Sequence, residues 1–155
     1  MKDNFAACLA LVLKHEGGYS DNLHDPGGAT MQGVTQKTYD DYRQLRGRVK
    51  TSVRGMTPVE RDDIYRGLYW SPIGADALPA GVDLLAFDIA VNSGPGRVLE
   101  WLRATTGLGQ VARIKALDSK RRGFWRALKI FSVFGRGWMA RENDVYAAAM
   151  RMAAH

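Results

Sequence analysis

Long stretches of helical hydrophobic spacing are interrupted by one short, turn-rich stretch near the front of the chain. Phe5, Leu9 and Val12 recur at steps of four and three, with Cys8 and Leu13 alongside, so residues 3–15 are predicted to form an amphipathic helix. Gly17-Gly18 is its expected stop, because glycine readily takes the left-handed conformation that follows helix ends. From residue 19 to 35 the spacing breaks down. Asp21-Asn22, Asp25-Pro26-Gly27-Gly28 and Gly33 are turn formers set between short runs that suit strands, which predicts a small irregular sheet or an ordered loop.

Helical spacing then resumes. Residues 35–45 are predicted helical, followed by a basic, glycine-broken connector at 46–55. Thr57-Pro58-Val59-Glu60 is a helix start in which Thr57 caps, Pro58 suits the first turn and Glu60 completes a capping box. That helix is expected to run to Trp70. Residues 83–91 are apolar almost all round and read as a buried central helix, stopped by Asn92-Ser93-Gly94. Pro95 opens another helix through Arg103, and two more are expected at 110–129 and 139–153. The pattern predicts a mostly α chain of the α+β class, one domain in size, with a small β region near the N-terminus.

Composition narrows the partners more than the fold. Apolar residues make up 46% of 155, with four Trp, six Tyr and five Phe, enough for a packed core and against disorder. Lys and Arg exceed Asp and Glu by 22 − 16 = 6. A basic surface attracts nucleic acid, anionic lipid or the acidic polymers of a cell envelope. With no helix-turn-helix or aromatic RNA-binding signature, nucleic acid is not the expected partner. Cys8 is the single cysteine, which excludes an intramolecular disulfide, and it reads as a buried hydrophobe. The apolar run at 5–13 is short for a bilayer and has no small-residue cleavage site. The expectation is therefore a monomer made in the cytoplasm, without signal peptide or stable membrane insertion, needing a holin or a secretion system to reach any substrate outside.

Glu16 continues the line Phe5–Leu9–Val12, which predicts a carboxyl at the last turn of a helix on its inward face. Partial desolvation and the negative end of the helix dipole both favour the protonated form there. Glycoside hydrolysis needs such an acid at the leaving oxygen. On position alone an ordinary helix-end Glu explains the residue as well. Asp25 follows nine residues later and Thr30 fourteen. A glycine-rich turn that brings the chain back would set both opposite Glu16, and two carboxyls flanking a sugar are the basic apparatus of glycosidases. Asp25 would support the developing charge or the water, and Thr30 would orient that water; an Asp before Pro-Gly is also a common turn residue. His15 and His24 flank this region without ligand spacing, so no metal is expected, and no cofactor.

Glu16-Gly17-Gly18-Tyr19, Asp25-Pro26-Gly27-Gly28-Ala29-Thr30 and Gly33-Val34-Thr35 together resemble glycoside hydrolase family 108, the bacterial and phage N-acetylmuramidases. Further matches follow in order: Ile64-Tyr65-Arg66 with Tyr69-Trp70, Phe87-Asp88 with Val91-Asn92-Ser93-Gly94, and Gly137-Trp138 with Arg141. The resemblance implies a lysozyme-like fold, peptidoglycan as substrate and Glu16 as the catalytic acid. The order and spacing of Glu16, Asp25 and Thr30 are also similar to phage-type lysozymes. Residues 1–92 would be the catalytic part. Residues 93–155 would be a helical part similar to a peptidoglycan-binding segment, although 107–116 lacks the Asp-Gly turn usual there.

The remaining candidates have two readings each. Tyr19 suits a sugar face or the core, and Tyr69 and Trp70 suit a saccharide cleft or buried packing. Asn92 is a helix stop or a substrate contact. Asp88, inside a very apolar helix, needs a partner, most simply an Arg. Lys115, Lys120, Arg121, Arg122, Arg126 and Lys129 form a basic stretch around Phe124 and Trp125 that suits acidic envelope polymers, lipid head groups or plain solvation. The expected reaction is cleavage of the β-1,4 bond between N-acetylmuramic acid and N-acetylglucosamine. A lytic transglycosylase and a non-catalytic basic wall binder are the alternatives.

Overall fold

Leu9 and Val12 are buried along one side of the first helix, α1 (Phe5–Leu13), with Phe5 and Cys8 on the same side. The computed structural model describes residues 3–24 and 28–155. α1 ends earlier than the pattern predicts. After Leu13 the chain tightens, His15 N–H bonding Val12 and Glu16 N–H bonding Leu13, so Glu16 stands just beyond the helix. Gly17 and Gly18 do not enter the left-handed region; those tightened turns stop the helix instead.

The turn-rich stretch is a three-stranded antiparallel sheet: β1 (Tyr19–Ser20), β2 (Thr30–Met31) and β3 (Val34–Thr35) in that order. Tyr19 pairs with Met31 and Ser20 with Thr30; Thr30 then pairs with Thr35 and Met31 with Val34. Thr35 caps α2 (Gln36–Leu45) by accepting from Thr38 N–H. The Thr57–Glu60 capping box forms as predicted at the start of α3 (Pro58–Tyr65). From Arg66 to Trp70 that helix widens into a π-helical turn.

Contacts divide the chain into two compact units, Leu9–Gly67 and the residues through Cys8 together with Leu68–His155. In the second, α4 (Val82–Ser93) is buried at every residue from Val82 to Ala90 and packs against α5 (Pro95–Ala104), α6 (Gln110–Arg126) and α7 (Phe131–Ala153). The sequence boundary at residue 92 falls inside this unit, because α4 is its centre. Gly81, at φ 82°, opens α4 where a Cβ would run into the carbonyl of Ala149 on α7. Phe5, Trp70 and Phe87 form an aromatic cluster with centroids 5.2–5.9 Å apart, Trp70 edge-to-face with both phenylalanines, and the Trp70 indole donates to Asp76 at 2.8 Å.

Asp88 finds arginine partners, as its setting requires. Arg121 Nη1 lies 2.6 Å and Arg141 Nη2 2.7 Å from its two carboxylate oxygens. Burial opposes ionisation of Asp88, but the two guanidiniums outweigh it and hold its pKa below the usual carboxylate range. Arg121 is therefore no part of a solvated basic face: it is fully buried. α7 also begins eight residues before the predicted 139. Gly135 is buried because the Phe131 ring lies where its Cβ would be, so a weak helix former is retained inside the helix.

Candidate active site

In the Leu9–Gly67 unit the sheet turns the chain back on itself beside Glu16. The turn between β2 and β3 is Gln32-Gly33, and both residues have positive φ, 47° and 81°. Gly33 has no alternative. A Cβ on it would lie 2.9 Å from Glu16 Oε2 and 3.2 Å from Glu16 Cδ, and would strike the Tyr65 hydroxyl. The carboxyl of Glu16 thus faces the tip of this hairpin at van der Waals range, half-buried, and the missing side chain of Gly33 makes its room.

α3 holds that tip in place. The Tyr65 hydroxyl donates to the Gln32 carbonyl at 2.7 Å, and Arg61 Nη1, one helical turn earlier, donates to the Gln32 side-chain oxygen at 3.2 Å. Two bonds from one helix face offset the left-handed backbone of Gln32, an unusual conformation for a non-glycine residue. α3 is in turn braced on α2 through Glu60. Its carboxylate accepts from Tyr39 at 2.8 Å, from Arg43 at 2.7 Å and from the Thr57 N–H at 3.0 Å. Burial works against that charge, but Thr57, Tyr39 and Arg43 together depress its pKa. The sequence pattern identifies Glu60 only as a capping residue. Its second role as a buried anion arises from Arg43 on another helix.

Gly17 and Gly18 follow Glu16 directly, are exposed, and have open space where a Cβ would be. Directly after Glu16 the chain therefore presents bare backbone to solvent. Tyr19 is 39% exposed with the Arg54 guanidinium 5.0 Å from its ring centroid. Thr30 sits opposite Ser20 in the sheet and is half-buried. Asp25 lies outside the described residues. The hairpin so brings Thr30's strand alongside the residues that follow Glu16.

Tyr69, Trp70 and Asn92 belong to the other unit. Trp70 is a correction to the saccharide-contact reading: at 1% exposure, wedged between Phe5 and Phe87, it is core. Tyr69 is half-buried. Asn92 is exposed at the end of α4 and lines a cavity of about 250 Å³ with Ser93, Arg97 and Trp138. Gln32 and Arg61 carry no role in the sequence reading, Gly33 only that of a turn former and Tyr65 only its place in a matching motif. A signal exists in retrospect: Arg61 and Tyr65 are four apart on a well-capped helix, and so share a face. Among the described residues no three His, Cys, Asp or Glu side chains gather in a way that could hold a metal ion.

The glycosyl hydrolase 108 family model matches residues 9–94, more than half of the chain. The structure of Brucella abortus SagA aligns over 100% of this chain and 98% of its own, at 33% identity and a TM-score of 0.83. Comparison with curated protein sequences gives no match. The matched segment takes in Glu16, the hairpin that faces it and the tyrosine that holds the hairpin. With a likeness to SagA over the whole length, the chain belongs to the glycosyl hydrolase 108 family.

Proposed function

We propose that this glycoside hydrolase is an N-acetylmuramidase that cleaves the β-1,4 bond between N-acetylmuramic acid and N-acetylglucosamine in peptidoglycan, with Glu16 as general acid. The observation that carries this reading is the placement of the Glu16 carboxyl. It is half-buried and backed by the Gly33 hairpin tip, and the two residues that follow it in the chain, Gly17 and Gly18, are exposed backbone without side chains. A polysaccharide is a bulky ligand, and an acid that must reach its bridging oxygen needs an approach free of side chains.

In the proposed reaction Glu16 gives its proton to the glycosidic oxygen as the bond to the anomeric carbon breaks. Water adds to that carbon and loses a proton, leaving a reducing muramic acid end. Asp25 supports the oxocarbenium-like charge or the water, Thr30 orients the water, and Tyr19, Tyr69 and Asn92 contact the glycan. The basic surface draws the enzyme to acidic envelope polymers.

The test is digestion of purified sacculi by wild type and Glu16→Gln, with the products reduced and read by mass spectrometry. Wild type is expected to give reducible muramic acid ends, and Glu16→Gln to lose at least about a hundredfold in rate with an unchanged circular dichroism spectrum. Anhydromuramic ends would make the enzyme a lytic transglycosylase. Near wild-type activity in Glu16→Gln would remove Glu16 from the chemistry.

A further inference from the structure

From Ser119 to Arg141 the chain contains no acidic residue and seven basic ones. Three of the seven are already engaged. Arg121 and Arg141 bind Asp88, and Arg122 binds Asp118 at 2.7 Å and Asn143 at 2.9 Å. Lys120, Arg126, Lys129 and Arg136 are exposed. Between and beside them stands an apolar stripe that also faces solvent: Ile130 is 51% exposed, Val133 73% and Phe134 53%.

The stripe follows helical spacing, Ile130, Val133, Phe134 and Gly137 at i, i+3, i+4 and i+7, at the start of α7. That spacing normally faces a core. Here the aromatic layer beneath it is already packed: Phe131 lies 6.4 Å from Trp138 and Trp138 5.5 Å from Trp125, and Phe134 of the stripe stacks on Trp138 at 6.0 Å with its outer side left to solvent. The cavity of about 250 Å³ beside Ile130 has apolar walls from Leu128, Trp125 and Trp138, and Arg97 is the charged group that α5 contributes. The exposed charged residues interleaved with the stripe along the chain, Arg126, Lys129 and Arg136, are thus all cationic, as is Arg97 in the cavity wall.

We infer that the α6–α7 corner, Ile130, Val133 and Phe134 ringed by Arg126, Lys129 and Arg136, seats on the surface of an anionic lipid bilayer. Apolar side chains that enter the acyl boundary while cations hold the head groups are the two parts of interfacial binding. Charge complementarity selects the occupant: a purely polyanionic partner would use the cations and leave the stripe wet, and a second copy would bring the same cations face to face. No helix of the described residues is long and apolar enough to cross a membrane, and the attachment inferred is to its surface.

The test is sedimentation of the full chain with vesicles of phosphatidylcholine alone or with one quarter phosphatidylglycerol, at physiological salt. Wild type should bind the anionic vesicles and not the neutral ones. The exposed double variant V133S/F134S should bind roughly tenfold more weakly or worse, as should K129Q/R136Q, both with unchanged melting curves. Trp138 fluorescence should be quenched by lipids brominated on the acyl chain, and a Trp138→Phe control should lose that quenching. Three results would overturn the inference: equal binding by V133S/F134S, no preference for anionic vesicles, or a wild-type dimer in solution that V133S/F134S disperses.

Discussion

A Cβ added to Gly33 would stand 2.9 Å from Oε2 of Glu16, so the hairpin tip and the proposed acid are fitted to each other with no spare room. Both adjoin Tyr65, whose hydroxyl borders the same space while donating to Gln32. A change at any of the three must therefore be felt by the others.

Gly33→Ala is the direct probe. Alanine at φ 81° costs about 1–2 kcal/mol for backbone alone, and the contacts with Tyr65 and Glu16 add to it. The expected result in urea unfolding is a loss of about 2 kcal/mol or more, with sacculus hydrolysis at least tenfold slower on the order expected for a displaced acid. Adding Tyr65→Phe removes the clashing oxygen along with a hydrogen bond worth about 1 kcal/mol, so the double variant should be less destabilised than the sum of the two singles. Strict additivity would mean that the three groups are not packed as described.

Gly17 and Gly18 should behave in the opposite way. Neither needs a left-handed backbone and neither has an atom within 4 Å of a Cβ position. Alanine at either site should leave stability unchanged or raise it by about 0.4–1 kcal/mol through the unfolded chain. If their purpose is to keep the approach to Glu16 bare, each substitution should still slow hydrolysis, by roughly tenfold, because a methyl group there displaces the glycan from the acid. Melting curves and initial rates on the same preparations separate the two effects. Full activity in both variants would remove the approach argument.

Elements defined by their own sequence were legible in it: the α3 capping box, α2 to within one residue of its start, and α4 with its buried run and glycine stop. What depends on residues far apart was not. The hairpin tip is held by side chains about thirty residues downstream, 29 for Arg61 and 33 for Tyr65, and no local pattern marks such a pairing. Arg121 was misplaced for another reason. Ile114, Leu117, Arg121 and Trp125 are all buried and spaced by three, four and four, so Arg121 lies on the core stripe of α6. Classed as polar, it passed for part of a solvated face until Asp88, 33 residues away, supplied the reason for its burial.

Arg121 is expected to be the most sensitive charged residue in its unit. Its Nη1 lies 2.6 Å from Asp88 and 2.9 Å from Glu142, all three side chains are fully buried, and its guanidinium covers the Trp125 ring at 4.2 Å. Arg121→Met would leave a buried carboxylate short of a counter-charge, at a cost of about 3–5 kcal/mol. Arg141→Met should cost less, because Arg141 is partly exposed and Asp88 would keep Arg121. Urea midpoints compare the two; a larger loss in Arg141→Met would reverse the ranking.

Glu142 makes the same cluster sensitive to alkali. Burial pushes its pKa from an ordinary 4.5 up to about 8; Arg121 pulls the other way, while Asp118 and Asp88 add to the rise. Its Oε2 lies 2.9 Å from Arg121 Nη1, while its side-chain hydrogen bond with Asp118 favours the protonated form. Because the folded pKa is raised, the folded state keeps this proton where the unfolded chain has released it. The stability so contributed is full below pH 4.5 and is lost as the pH rises through about 8. Wild type should therefore weaken between pH 5 and 9 by more than about 1 kcal/mol relative to Glu142→Gln, whose amide has no proton to lose. The difference between the two urea-unfolding profiles, not either alone, carries the result, since every other titratable group is common to both proteins. Parallel profiles would show that Glu142 is already ionised at neutral pH and that Arg121 balances two carboxylates at once.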